Sequence, residues 1–234
     1  MSFKRKPPDG NVRWVRSTGQ NLRGVITNKV GRSVQFESWL ERGLILRLDR
    51  DPGVLDYQSQ PEQFRFSDED GKQRSYTPDF KVWRHDGAIE IHEVTLSQRR
   101  RQPNMRRREQ AAGEICRDRG WQYLVHTEQS LPNESELANL LALVGYRPTI
   151  YANQQVIQAV YEHLAGGPTV AFDRLVRQVG QGLNLSGAEV TATLCYLLWH
   201  GEVQTDLNRL LFDQGAIEPE VPLWLERKGV GHER

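Results

Sequence analysis

The chain has 234 residues, 38% hydrophobic, 26% charged and 9% aromatic, as expected of an ordinary soluble globular protein with one large domain or two small ones. No apolar run approaches the roughly 20 residues of a membrane-spanning helix, and the basic, Pro-containing start Met1–Gly10 has no apolar stretch behind it, which argues against a secretory signal. Cys116 and Cys195 are too few for a four-ligand zinc set or a disulfide framework and point to a reducing cytoplasm.

In chain order, residues 1–30 have early prolines, many polar residues and little periodicity, and read as a flexible basic arm. From Ser33 onward Phe36, Leu40, Leu44 and Leu48, with Trp39 and Ile45 beside them, predict an amphipathic helix of about 15 residues. Asp51-Pro52-Gly53 stops it. Short strands are expected at Val54–Tyr57 and Gln63–Phe66, with a hairpin turn at Asp68–Gly71. Arg74–Trp83, interrupted by Pro78, and Ala88–Thr95 read as further strands joined by the turn His85-Asp86-Gly87. Pro103–Arg119 predicts a basic helix, and Trp121–His126 a strand returning to a sheet edge. The pattern gives an α/β sheet of about five strands in a domain over 31–147. Helical patterns at 151–165, 168–179 and 186–200, followed by a Gly-led hairpin at Gly201–Asp206, suggest a winged-helix-type module over 148–234.

The net charge of +1 hides two basic blocks. Residues 1–32 carry a net +7, and residues 99–119 carry a net +5 from Arg99, Arg100, Arg101, Arg106, Arg107, Arg108, Arg117 and Arg119 set against three acids. Basic blocks on an acidic body are how proteins meet phosphates, and guanidinium forks suit bidentate phosphate contact. A solvated helix face is the plainer reading of the same charges. Of these arginines, 99–101 and 106–108 are the candidate DNA contacts.

The chemistry-bearing signal is Tyr76-Thr77-Pro78-Asp79-Phe80 followed by Glu93-Val94-Thr95. A carboxylate that opens one strand and another in the middle of the next strand can converge on one hard cation such as Mg²⁺. Glu41, in Ser38-Trp39-Leu40-Glu41, is a candidate third acid, with Glu37 one turn earlier. Each acid alone is more ordinarily a surface charge. Glu93 differs, because Ile89, Ile91, Val94 and Leu96 imply a buried strand, where an unpaired carboxylate is rare. His92 alternates to the opposite side, and Cys116 and Cys195 read as small buried hydrophobes.

The order Ser38-x-x-Glu41, Asp51-Pro52-x-Val54, Gln60-Pro61, Tyr76-Thr77-Pro78-Asp79-Phe80 and Glu93-Val94 resembles the TnsA family, endonuclease subunits of heteromeric cut-and-paste transposases. The resemblance covers about residues 33–125, with a weaker likeness of Leu197–Leu210 to the family's winged-helix-type C-terminal domain. It implies a restriction-endonuclease-like mixed sheet flanked by helices. It also implies Glu41, Asp79 and Glu93 as ligands of catalytic Mg²⁺, with Mn²⁺ as a possible substitute, and cleavage at the 5′ ends of a transposon. The implied partners are transposon-end DNA, a TnsB-like transposase subunit and a TnsC-like ATPase. The family's lysine falls at position 95, where this chain has Thr95. Lys81, two residues after Asp79 and on the same strand face, is the candidate replacement; Arg99 or Arg100 is the alternative. Thr95 also leaves open a catalytically inactive DNA-binding or assembly subunit, and the C-terminal helices alone would suit a transcription regulator.

Overall fold

The computed structural model describes residues 23–67, 71–167 and 169–226. Most of the expected arm and the turn residues Asp68–Asp70 lie outside the described residues. The chain divides into two compact units, the first ending at Pro132 and the second starting at Asn133.

In the first unit the chain is paired from Gly24. Strands β1 (Gly24–Thr27) and β2 (Ser33–Phe36) form an antiparallel hairpin. The Asn28 side chain closes it by accepting from the Val30 and Arg32 amides. This corrects two expectations: Gly24–Thr27 is a strand rather than part of the arm, and Phe36 ends a strand rather than opening the first helix. Helix α1 spans Trp39–Arg50, and its N-cap is Ser38, whose hydroxyl accepts from the Glu41 amide. Phe36 kept helical spacing with Leu40, Leu44 and Leu48 because strand and helix bury those four side chains in one cluster.

The main sheet contains β3 (Val54–Ser59), β6 (Phe80–Arg84), β7 (Ile89–Val94) and β8 (Gln122–His126), in the order β3-β6-β7-β8. The first two pairings are antiparallel and β7–β8 is parallel. A parallel pair needs a crossover, supplied by the short helix α2 (Ser97–Arg100) and helix α3 (Pro103–Asp118). Strands β4 (Phe64–Ser67) and β5 (Gln73–Tyr76) pair as a separate hairpin, so the expected single sheet of about five strands is a four-stranded mixed sheet with two hairpins. Pro78 divides the expected Arg74–Trp83 strand into β5 and β6, because proline has no amide to donate to a ladder. Phe80 and Val82 face the α1 cluster, whereas Ile91 joins Phe64, Ala112 and Cys116 on the α3 side.

The second unit contains α4 (Glu134–Leu143), α5 (Gln154–Ala165), α6 (Phe172–Leu183) and α7 (Gly187–His200), which bury Val156, Leu175, Leu194 and Trp199. Strand β9 (Val170–Ala171) pairs with β12 (Pro222–Leu223). The hairpin expected at Gly201–Asp206 forms later, as β10 (Phe212–Asp213) and β11 (Ala216–Ile217). Its turn uses Gln214 and Gly215 at φ 46 and 87. Gly201, at φ 70, instead ends α7 in the left-handed conformation.

Candidate active site

Glu41 lies in the first turn of α1 with its carboxylate folded back over the helix start. Oε1 accepts from the Ser38 hydroxyl at 2.9 Å and Oε2 from the Glu37 amide at 2.8 Å. Ser38-x-x-Glu41 is thus a capping arrangement as well as a candidate ligand position. Asp79 opens β6, and its Oδ2 accepts from the Val94 amide at 2.7 Å, bringing it beside Glu93. Its carbonyl accepts from Gln60 at 2.7 Å. Gln60 is buried at φ 47 and donates to Glu37 Oε1 at 3.2 Å, a strained position against the site wall. Glu93 points to the α3 side of β7 and is 3% exposed. Its Oε1 accepts from Arg108, while its buried Oε2 has no hydrogen-bond partner.

The charge of Asp79 acts on Glu41, and that of Glu41 on Glu93. Burial, then the charge of Asp79, pushes the Glu41 carboxyl up to about 7. Burial pushes Glu93 up to about 7 as well, with Arg108 pulling it down and Glu109 and Glu41 adding to the rise. Among the described residues no group of three His, Cys, Asp or Glu side chains stands ready-formed around one ion position. The donor chemistry nevertheless fits a hard divalent ion: all three groups are carboxylates, and one buried oxygen is unsatisfied. Because a carboxylate must be ionised to bind metal, Mg²⁺ affinity is expected to rise with pH between 6 and 8. Because burial raises both carboxyls, an ion bound there at neutral pH would release protons from Glu41 and Glu93. Calorimetry in buffers of different ionisation enthalpy checks both.

The basic candidates separate in space. Lys81 is not brought to the acids: its ammonium bonds Glu62 at 3.0 Å and lies 3.8 Å from the centre of the Trp121 ring. Arg119 shares that Glu62 carboxylate at 2.5 Å. Thr95 is buried and supplies no cation to Glu93. Arg99, Arg100, Arg101, Arg106 and Arg107 are exposed, and Arg100 bonds Glu109 at 2.9 Å. Arg108 differs from its neighbours, turning inward to Glu93 with its guanidinium 4.9 Å from the centre of the Tyr76 ring.

Residues 51–128 match the family model described as TnsA-like endonuclease N terminal. That segment is similar to TnsA-like endonucleases. No curated protein matches the chain.

The matched segment of this TnsA-like domain contains Asp79, Glu93 and Arg108, whereas Glu41 precedes it. The inward Arg108 escaped the sequence reading, yet a signal existed. Arg108, Ala112 and Cys116 recur every fourth residue, and the latter two are the buried positions of α3.

The other sheet face of the TnsA-like domain carries a buried polar chain. Asp51 holds Arg84 at 3.1 Å, Arg84 lies 3.6 Å from Glu90, and Glu90 bonds His92 Nε2 at 3.0 Å. His92 Nδ1 lies 2.9 Å from His126 Nε2. Two neutral rings satisfy this chain: His92 Nε2–H donates to Glu90 and His126 Nε2–H donates to His92. Burial pushes both rings below the ordinary histidine range, His126 to about 4, with His92 and Arg47 adding to its fall. Unfolded histidines take up protons below about pH 6.5, so the contribution of neutral His126 is complete above that pH and is lost as pH falls towards 4. Relative to a His126→Gln variant, the native chain is expected to lose on the order of 1 kcal/mol between pH 7 and 5. Urea unfolding at both pH values reads it.

Proposed function

We propose that the chain is a Mg²⁺-dependent endonuclease subunit that cleaves the 5′ ends of a transposon during cut-and-paste transposition. The observation that carries this reading is Asp79, held by the Val94 amide beside the buried Glu93 carboxylate with its unsatisfied oxygen, within a TnsA-like segment. The Glu41, Asp79 and Glu93 carboxylates would hold the ion, which supplies an activated water and a counter-charge for the leaving oxygen. In the cleavage step the water oxygen bonds to phosphorus and gives its proton to solvent. The bond from phosphorus to the leaving sugar oxygen breaks, and that oxygen takes up a proton. Gln60 and the Val94 amide keep Asp79 in place. Arg99–Arg101, Arg106 and Arg107 would contact backbone phosphates without reading sequence. The second unit, with α5–α7 and its hairpin, is the winged-helix-type domain of this reading.

By family, the machinery acts on DNA in transposition. A TnsB-like subunit would cut and join the 3′ ends, and a TnsC-like ATPase would regulate the assembly. The test is strand-specific cleavage of DNA bearing transposon ends, with both partners present, in Mg²⁺ and in Mn²⁺. Cleavage confined to the 5′ ends supports the reading. A second reading, an inactive assembly subunit, draws on Thr95 and on the absence among described residues of a ready-formed three-ligand group. It predicts entry into the DNA complex without cleavage in either metal.

A further inference from the structure

We propose that Arg108 is the cation of the cleavage site, holding the charge of Glu93 until a divalent ion takes that carboxylate and then bonding the scissile phosphate. This rests on the nuclease reading above. Four observations carry it. Arg108 reaches the carboxylate directly, and its side chain is 28% exposed, so it is not sealed into the core. Its guanidinium lies over the Tyr76 ring, 4.9 Å from the centre, which helps to aim it. The other strand candidates are occupied or neutral, because Lys81 is held by Glu62 and Trp121 and Thr95 carries no charge. Finally, Arg108 forms part of the wall of a surface cavity of about 320 Å³, together with Phe66, Arg74, Tyr76, Asn104 and Arg107. A guanidinium between a buried carboxylate and an open, arginine-lined cavity can exchange one anion for the other.

The surroundings of the pair are unfinished in a way that exchange would complete. Arg108 Nε and Glu93 Oε2 are both buried without hydrogen-bond partners, beside the Tyr76 and Tyr123 hydroxyls, which interact with each other. An unpaired atom on each side of one ion pair signals a missing ligand for each, since buried polar groups are nearly always paired. A cation on Glu93 Oε2 and a phosphate oxygen on Arg108 would satisfy both. Phosphoryl transfer adds negative charge to the equatorial oxygens in the transition state, and a prepositioned guanidinium is a strong stabiliser of that charge.

The test measures Mn²⁺ binding to the full chain without DNA, from the electron paramagnetic resonance signal of free Mn²⁺, and cleavage at saturating Mn²⁺ in the assembled reaction. Arg108→Gln removes the charge and keeps most of the stem. It is expected to bind Mn²⁺ roughly tenfold more tightly, because a competing cation is gone, and to cleave about 100-fold more slowly. Arg108→Lys keeps the charge without the fork, so its Mn²⁺ affinity should match wild type and its cleavage should lie in between. Unchanged Mn²⁺ affinity in Arg108→Gln, or wild-type cleavage in either variant, overturns the proposal. A wild-type chain whose Mn²⁺ binding is indifferent to Asp79→Asn overturns instead the nuclease reading on which it rests.

Discussion

An Asp79→Asn chain is expected to cleave transposon-end DNA more than about 100-fold more slowly than wild type, beyond the usual effect of losing a residue that merely supports a metal ligand. The choice of asparagine matters. Asp79 Oδ2 accepts the Val94 amide, and alanine would leave that N–H unpaired at a cost of about 1–3 kcal/mol. Asparagine keeps an oxygen in place, so the melting temperature should move by only about 2–4 °C per kcal/mol lost, and by less than one such step. Lost cleavage with preserved stability isolates the chemistry from the fold. The same variant carries an internal control. The charge of Asp79 helps to raise Glu41, so removing it should bring the Glu41 carboxyl back towards its ordinary range. Titration of the glutamate side-chain carbons by NMR reads that downward shift without DNA or metal. Wild-type cleavage by Asp79→Asn would remove Asp79 from the site.

The largest expected loss of stability in the first unit comes from the next residue. Phe80 is completely buried, packs in the α1-facing core and stands in register with Ser59 on β3 and His92 on β7. Phe80→Ala should cost about 3–5 kcal/mol, adding the lost transfer energy of the ring to the cavity it leaves. Total stabilities lie near 5–15 kcal/mol, so this change removes a large share of the stability. Phe80→Leu refills much of the space and should cost about 1 kcal/mol. Urea unfolding checks both, with an unchanged denaturant slope indicating that stability alone has moved. The motif Pro78-Asp79-Phe80 thus divides its labour by side-chain direction: Pro78 ends one ladder, Asp79 faces the acids and Phe80 anchors the strand.

Local patterns made much of the first unit legible. Alternation and turn residues located β4, β7 and β8, and helical periodicity located α3 within a residue of its observed end. The misreadings share a cause, which is that spacing along the chain does not reveal what a side chain packs against. Phe36 matched the helical stripe of Leu40 and Leu44 because all three enter one cluster, although Phe36 sits on a strand. Gly201 signalled a turn correctly but not its kind, since it ends a helix and the hairpin waits for Gln214-Gly215. At the site, alternation placed Asp79 and Lys81 on the same strand face, yet Lys81 is not brought to the acids. The cross-strand neighbour of Lys81 is Ile91, and its ammonium turns to Glu62 and Trp121. Conversely, the block of arginines read as one outward surface contains an inward member, because three consecutive helical residues span more than half a turn.

The crossover between β7 and β8 has a bearing on inheritance. Glu93 on β7, the exposed arginines of α2 and α3, and Arg108 all lie on the single path that the chain takes to lay one parallel strand beside the other. That path cannot be excised or exchanged for a loop without unpairing β8 from the sheet. The arginine-bearing helices and the strand order are therefore bound together in any recombination event. A hybrid that loses this crossover loses the arginine-bearing helices and the pairing of the edge strand β8 in one step.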